Sequence, residues 1–132
     1  MNDILQPDGW PKPRGYSNGL RASGDMLFIA GQIGWDENER LVDDDLVGQT
    51  RRALENIVAV LKTADAGPGH IVRLRWYITD MDEYRSRKKE IGAVYRQVMG
   101  NHYPAMSLFQ VVQLVDEGAK VEIEATAVVP KT

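Results

Sequence analysis

The spacing of apolar and polar residues changes several times along the chain, and each change marks an element. An alternating stretch from Tyr16 to Ala22 is followed by Ser23-Gly24-Asp25, a turn signal, and then by the apolar run Met26-Leu27-Phe28-Ile29-Ala30. Together these read as a strand, a turn and a buried strand, that is, a hairpin. Val47, Leu54, Ile57, Val58 and Leu61 then recur at helical spacing, with Asp43-Asp44-Asp45 ahead as N-cap candidates and Gly67 behind as a stop. A helix is therefore predicted over about residues 45–64. From His70 to Thr79 the period drops to two, with Val72, Leu74, Trp76 and Ile78 on one side and Arg73, Arg75 and Tyr77 on the other, the pattern of a half-buried strand. A second helix is expected over residues 82–99, capped by Asp82, striped by Tyr84, Ile91, Val94, Tyr95 and Val98, and ended by Gly100. Two strands, about residues 105–114 and 120–129, joined by a turn at Asp116-Glu117-Gly118, complete a ββαβαββ order.

Two helices cover only one face of such a sheet, so the other face meets solvent or another subunit. The 105–114 strand carries Met106, Leu108 and Val112 on one face and Phe109 and Val111 on the other. A strand apolar on both faces is normally buried on both, so the pattern predicts an α+β domain that self-associates. The first 14 residues, with three prolines, read as an irregular arm rather than a separate domain, leaving 1–132 as a single domain.

Composition narrows the chemistry. A chain of 132 residues is long enough for one real core. Without cysteine there is no thiolate nucleophile, disulfide or Cys-based zinc site. No apolar run approaches the roughly 20 residues that span a bilayer, and the N-terminal residues lack a basic-then-apolar leader. A cytoplasmic location without membrane partners is expected. The net charge of −3 argues against a dedicated nucleic-acid binder. The one basic run, Arg85, Arg87, Lys88 and Lys89, closed by Glu90, reads as a solvated helix face or a phosphate-binding patch, with no interleaved aromatics. His70 and His102 each lack a second ligand at metal spacing, and Ser107 has no recognisable base, so neither a metal site nor a nucleophilic triad is expected.

Four segments carry a resemblance: Gly15-Tyr16-Ser17, Ala30-Gly31-Gln32-Ile33, Tyr103-Pro104-Ala105-Met106-Ser107 and Val121-Glu122-Ile123-Glu124-Ala125-Thr126-Ala127. In this order the series resembles the RidA/YjgF family, also catalogued as endoribonuclease L-PSP proteins, over nearly the whole span from Gly15 to Val129. The resemblance implies a chorismate-mutase-like fold, a homotrimer with clefts between subunits, and hydrolysis of a reactive imine or enamine with no metal or cofactor. It implies that Glu122 positions the attacking water, that Tyr16 lines the pocket and that the Gly31 backbone lies close to the ligand. From their local pattern alone, Glu122 reads as a surface carboxylate, Tyr16 as packing and Gly31 as a turn.

The departures from the family pattern are as informative as the matches. At the position of Met106 the family's imine hydrolases hold an arginine, whose planar fork grips the substrate carboxylate. Methionine is flexible and apolar, with only a weak acceptor. Leu108 stands where a cysteine is usual, and the pocket asparagine of deaminating relatives falls near Lys89. Arg75, which should share a sheet face with Glu122 and Glu124, either pairs with one of those glutamates or stands in for the lost clamp. The resemblance without its clamp implies an imine or enamine hydrolase whose substrate is not a simple 2-imino acid. A non-catalytic, small-molecule-binding trimer is the alternative. Ribonuclease or translation-inhibitor activity, suggested by the catalogue name, has no nucleophile or metal set to carry it.

Overall fold

A computed structural model describes residues 3–131. Its strands are β1 (Asp3–Leu5), β2 (Gly19–Arg21), β3 (Asp25–Gln32), β4 (Ile71–Ile78), β5 (Ala105–Gln110) and β6 (Val121–Val129). Its helices are α1 (Leu46–Lys62), α2 (Met81–Ser86) and α3 (Lys88–Met99), and a 3-10 turn at Pro68–His70 leads into β4. The main sheet has the order β3-β6-β4-β5. Its β6 strand is antiparallel to both neighbours, whereas β4 and β5 run parallel. The result is the expected α+β arrangement of a mixed sheet with its helices on one face.

The core forms where the two periodicities meet. α1 turns Leu46, Ala53, Leu54, Ile57 and Leu61 inward, and α3 turns Ile91, Val94, Tyr95 and Met99 inward. Both stripes lie over sheet residues that include Leu74, Trp76, Ile78, Val121, Ile123 and Ala125, all buried. Asp45 caps α1, its carboxylate accepting from the Val47 N–H at 3.1 Å. Among the described residues no helix is long and apolar enough to cross a membrane.

Several expectations are corrected. Residues 3–5, read as part of an irregular arm, form β1 and pair antiparallel with β2. The hairpin of the first two predicted strands is therefore absent: β2 lies in a small sheet with β1, and β3 pairs with β6. Between them the chain turns at Gly24, φ +146°, where a Cβ would strike the Val129 carbonyl at the end of β6. The apolar run of β3 specified a strand but not its partner, and the long β6 offers more pairing than three residues of β2. A bulge between Ile71 and Arg73 puts Ile71, rather than Val72, on the buried face, because one extra residue inverts the parity of a strand. The second helix is two helices. α2 is capped by Asp80, not Asp82, and the backbone leaves helical geometry at Arg87 (φ −112°, ψ 17°) before α3 begins. The predicted 105–114 strand stops at Gln110, leaving Val112 and Val115 almost fully exposed.

The sheet face opposite the helices is open. It carries Phe28, Arg73, Arg75, Tyr77, Phe109, Glu122 and Glu124, of which Phe28 remains 75% and Phe109 50% exposed. Tyr77 stacks on Phe109 and donates its hydroxyl to Glu124. That bond to a carboxylate holds the Tyr77 phenol above its ordinary range.

Candidate functional site

Strand β5 is the edge of the sheet, and the segment around Tyr16 docks onto it. The Ser17 N–H donates to the Pro104 carbonyl at 3.0 Å, Ser17 bridges Ala105 in parallel, and the Ser17 hydroxyl donates to the Tyr103 carbonyl. These bonds bring Tyr16 beside Met106, although 90 positions separate them in sequence.

The β4–β5 register pairs Leu74 with Met106 and Trp76 with Leu108. Met106 and Leu108 therefore leave β5 on the helix side, where both pack half-buried against the core. Between β5 and α3 lies a cleft of about 490 Å³. Its floor and walls are Trp76, Tyr84, Ile91, Tyr95, Tyr103, Met106 and Leu108, with Tyr16 and Gly15 at the β5 side. Tyr95 and Tyr103 stack with ring centroids 5.3 Å apart, and the Tyr95 hydroxyl donates to the His102 carbonyl at 2.6 Å. Burial pushes the phenols of Tyr84 and Tyr95 up, so both remain neutral hydrogen-bonding groups at physiological pH. The rim of this apolar, aromatic cleft carries Arg14, Lys88 and Arg96.

Gly31 and Glu122 lie elsewhere. A Cβ at position 31 would overlap the Glu122 carboxylate, so only glycine leaves that carboxylate its place. Glu122 sits opposite Tyr77 in the β4–β6 ladder, on the open face. Strand β4 separates β6 from β5, so Glu122 and Met106 are about 10 Å apart in strand spacings alone. They also project from opposite faces. Within one protomer the expected site thus falls into two groups: Tyr16, Met106 and Leu108 at the cleft, Gly31 and Glu122 away from it.

Arg75 belongs to neither group. It pairs in register with Ser107, not Met106, and so projects to the open face, with its guanidinium 3.8 Å from Glu124. It lines a second hollow of about 500 Å³ together with Arg73, Tyr77 and Phe109. Met106 borders both hollows because β5 is an edge strand. Of the two alternatives for Arg75, the structure shows the pairing, with Glu124, and Arg75 does not line the helix-side cleft. Near Lys89, it is the adjacent Lys88 that α3 turns toward the cleft, with Lys89 outside its lining. Both histidines hold backbone. His70 Nδ1 accepts from the Gly67 N–H at 3.1 Å, and His102 Nε2 lies 2.7 Å from the Ile71 carbonyl.

Sequence reasoning missed Arg14, Arg96 and the aromatic walls, and it named Lys88 only within the basic run that could bind phosphate. For α3 a signal was present. Positions 88, 92 and 96 recur every fourth residue, and glycine at 92 opens that face between two cations. Arg14 gave no such signal, since its place depends on how the segment after β1 docks.

A family model for Endoribonuclease L-PSP matches residues 11–129. The chain is 34% identical over 129 residues to a RutC family protein of Pyrococcus horikoshii, covering 96% of this chain and 98% of that one. It is 28% identical over 103 residues to the 2-iminobutanoate/2-iminopropanoate deaminase of Homo sapiens, covering 77% and 72%. A crystal structure of the Rid family protein YyfB from Yersinia pestis, a protein of unknown function, aligns with a TM-score of 0.86 at 34% identity, covering 97% of this chain and 98% of that one.

Proposed function

The chain belongs to the endoribonuclease L-PSP family, the RidA/YjgF proteins, and from that membership we propose that it is a homotrimeric imine or enamine hydrolase whose substrate is not a simple 2-imino acid. The observation that carries this reading is the register of β5: Met106 and Leu108 both face the cleft, so its wall is apolar where a carboxylate clamp would stand. A short 2-imino acid would leave its carboxylate unpaired against that wall, at a high desolvation cost.

In the proposed reaction Glu122 accepts a proton from water as the water oxygen attacks the imine carbon. The proton passes to nitrogen, and the carbinolamine collapses to a carbonyl compound and ammonia. The adjacency of Gly31 and Glu122 supports a carboxylate kept clear for water. Because Glu122 is remote from its own cleft, a second copy supplies this acid across a subunit boundary. The open face, with Phe28 and Phe109 exposed beside charged partners, suits that contact.

The apolar character of Met106 and Leu108 favours a second reading, a trimer that binds a small molecule without turning it over. Imines generated in situ from amino acids of increasing side-chain length separate the two. We expect slow loss of 2-iminopropionate, faster loss of a larger imine, and a drop of about 100-fold on Glu122→Gln. Met106→Arg should raise turnover of 2-iminopropionate. Brisk wild-type turnover of 2-iminopropionate would overturn the substrate assignment. No turnover of any imine, even by Met106→Arg, would favour the binding protein.

A further inference from the structure

We propose that the rim of the β5–α3 cleft is an anion site, in which Arg14, Lys88 and Arg96 hold a carboxylate or phosphate borne at the far end of an elongated ligand. The imine at the other end of that ligand rests on the reading above; the anion site does not. The chain has 19 acidic and 16 basic residues, yet the cleft lining that one copy contributes contains three cations and no carboxylate. Lys88 and Arg96 share α3, whereas Arg14 comes from a segment more than 70 positions earlier in the chain, so local composition does not explain its convergence with them. None of them is in an ion pair among the described residues. Their neighbour Arg87, by contrast, bonds both Asp45 and Glu90. Like charges gathered without a counterion repel one another, and an anion placed among them removes that repulsion.

The geometry of α3 supports the same assignment. Lys88, Gly92 and Arg96 succeed one another at one-turn intervals on the face that borders the cleft. A Cβ on Gly92 would lie 3.4 Å from Arg96 Nη1. The Arg96 guanidinium thus lies over the bare glycine. This row lies on α3, across the cleft from Met106 and Leu108 on β5, so an anion held along it sits away from the wall where the family's carboxylate clamp would stand.

The wall tells what the rest of the ligand is. Met106, Leu108 and Trp76 form an apolar, partly aromatic surface, which fits a hydrocarbon or planar spacer. Trp76 is 5% exposed, and its indole Nε1 is a buried donor without a hydrogen-bond partner. A buried donor left unpaired is costly, and an acceptor on a bound spacer would satisfy it. The ligand class is therefore an apolar or aromatic body with a distal anion, in contrast to a small 2-imino acid with its carboxylate at the reacting carbon.

Binding tests this without any catalytic readout. Calorimetric titration would compare 4-phenylbutyrate, phenyl phosphate and the neutral 4-phenylbutanamide. One or both anions should bind at least about tenfold more tightly than the amide, and their ranking tells carboxylate from phosphate. Lys88→Gln and Arg96→Gln, both at exposed positions, should each weaken anion binding about three- to tenfold and leave amide binding unchanged. Arg14→Gln, on the other segment, should do the same. Lys89→Gln, outside the lining, should change nothing. Equal affinity for anion and amide, absence of binding by both anions, or insensitivity to all three rim substitutions would overturn the anion site. Selective anion binding by a protein that hydrolyses no imine would refute the hydrolase and leave this site standing. Hydrolysis of neutral and anionic imines with equal kcat/KM would do the reverse.

Discussion

Gln49 shows how much one side chain can join. It is fully buried on α1, and its amide N–H groups donate to the Asp43 and Gly118 carbonyls, each at 3.0 Å. Its amide oxygen accepts from the Lys120 N–H at 2.7 Å. One residue thereby satisfies three backbone groups in two loops and ties the start of α1 to the entry of β6. Gly34 lies against it so closely that a Cβ there would come within 2.6 Å of Gln49 Cα. Gln49→Ala should lower stability by about 2–4 kcal/mol, because buried groups lose their partners and a cavity is left. Urea unfolding checks this; a loss within error of zero would mean that water or loop rearrangement replaces all three bonds. Nothing in the apolar stripe of α1 pointed to Gln49, since a polar residue at a buried position declares itself only through its partners. Met106 is the opposite case. Its apolar character was legible at once, and the structure added the direction in which its side chain leaves β5.

Among the elements, the α2–α3 junction has a clear purpose. At Arg87 the helical ladder is interrupted, and the freed side chain bonds Asp45 at 2.8 Å and Glu90 at 2.7 Å. Asp45 is also the N-cap of α1, so one guanidinium connects the starts of the two long helices. The Arg87 hydrogen bond is the main reason that the Asp45 carboxyl lies below its ordinary 3.8 and the Glu90 carboxyl below its ordinary 4.5. Carboxyls lowered in the folded state contribute stability above their unfolded values, and that contribution disappears as pH falls through the folded ones. Arg87→Gln should therefore lower Tm most near neutral pH, by a modest amount for exposed ion pairs. The deficit should shrink as pH falls below the ordinary carboxyl range and vanish once both carboxyls are protonated in the folded state. Thermal melts across that range check it, and a deficit that stays constant with pH would assign the effect to the backbone break instead. The uninterrupted stripe from Tyr84 to Val98 concealed this junction, because periodicity survives a single non-helical residue. The long elements were legible for a related reason: α1, β4 and β6 each declare a period over many residues. Strand pairing was not, and the expected hairpin failed there.

For the whole molecule, the open sheet face matters most. Phe28 and Phe109 lie exposed on it, beside Arg75, Tyr77 and Glu124. An exposed face of this kind commonly contacts another chain. On the trimeric reading, light scattering should give about three times the 14.8 kDa mass of one chain. Phe28→Asp should shift the protein toward monomer without unfolding it, as circular dichroism would show. A wild type that runs as a monomer at micromolar concentration would remove the basis for a shared site. Periodicity, caps and turn residues act between near neighbours, so the residues alone determined the α+β class, the long helix and the alternating strands. The ordered motifs likewise identified the family. The bulge at Ile71–Arg73, the pairing of β3 with β6, the division of Glu122 from Met106 and the gathering of Arg14 with Lys88 and Arg96 were decided only by tertiary structure. Each depends on which distant segments touch, and no local pattern records that choice.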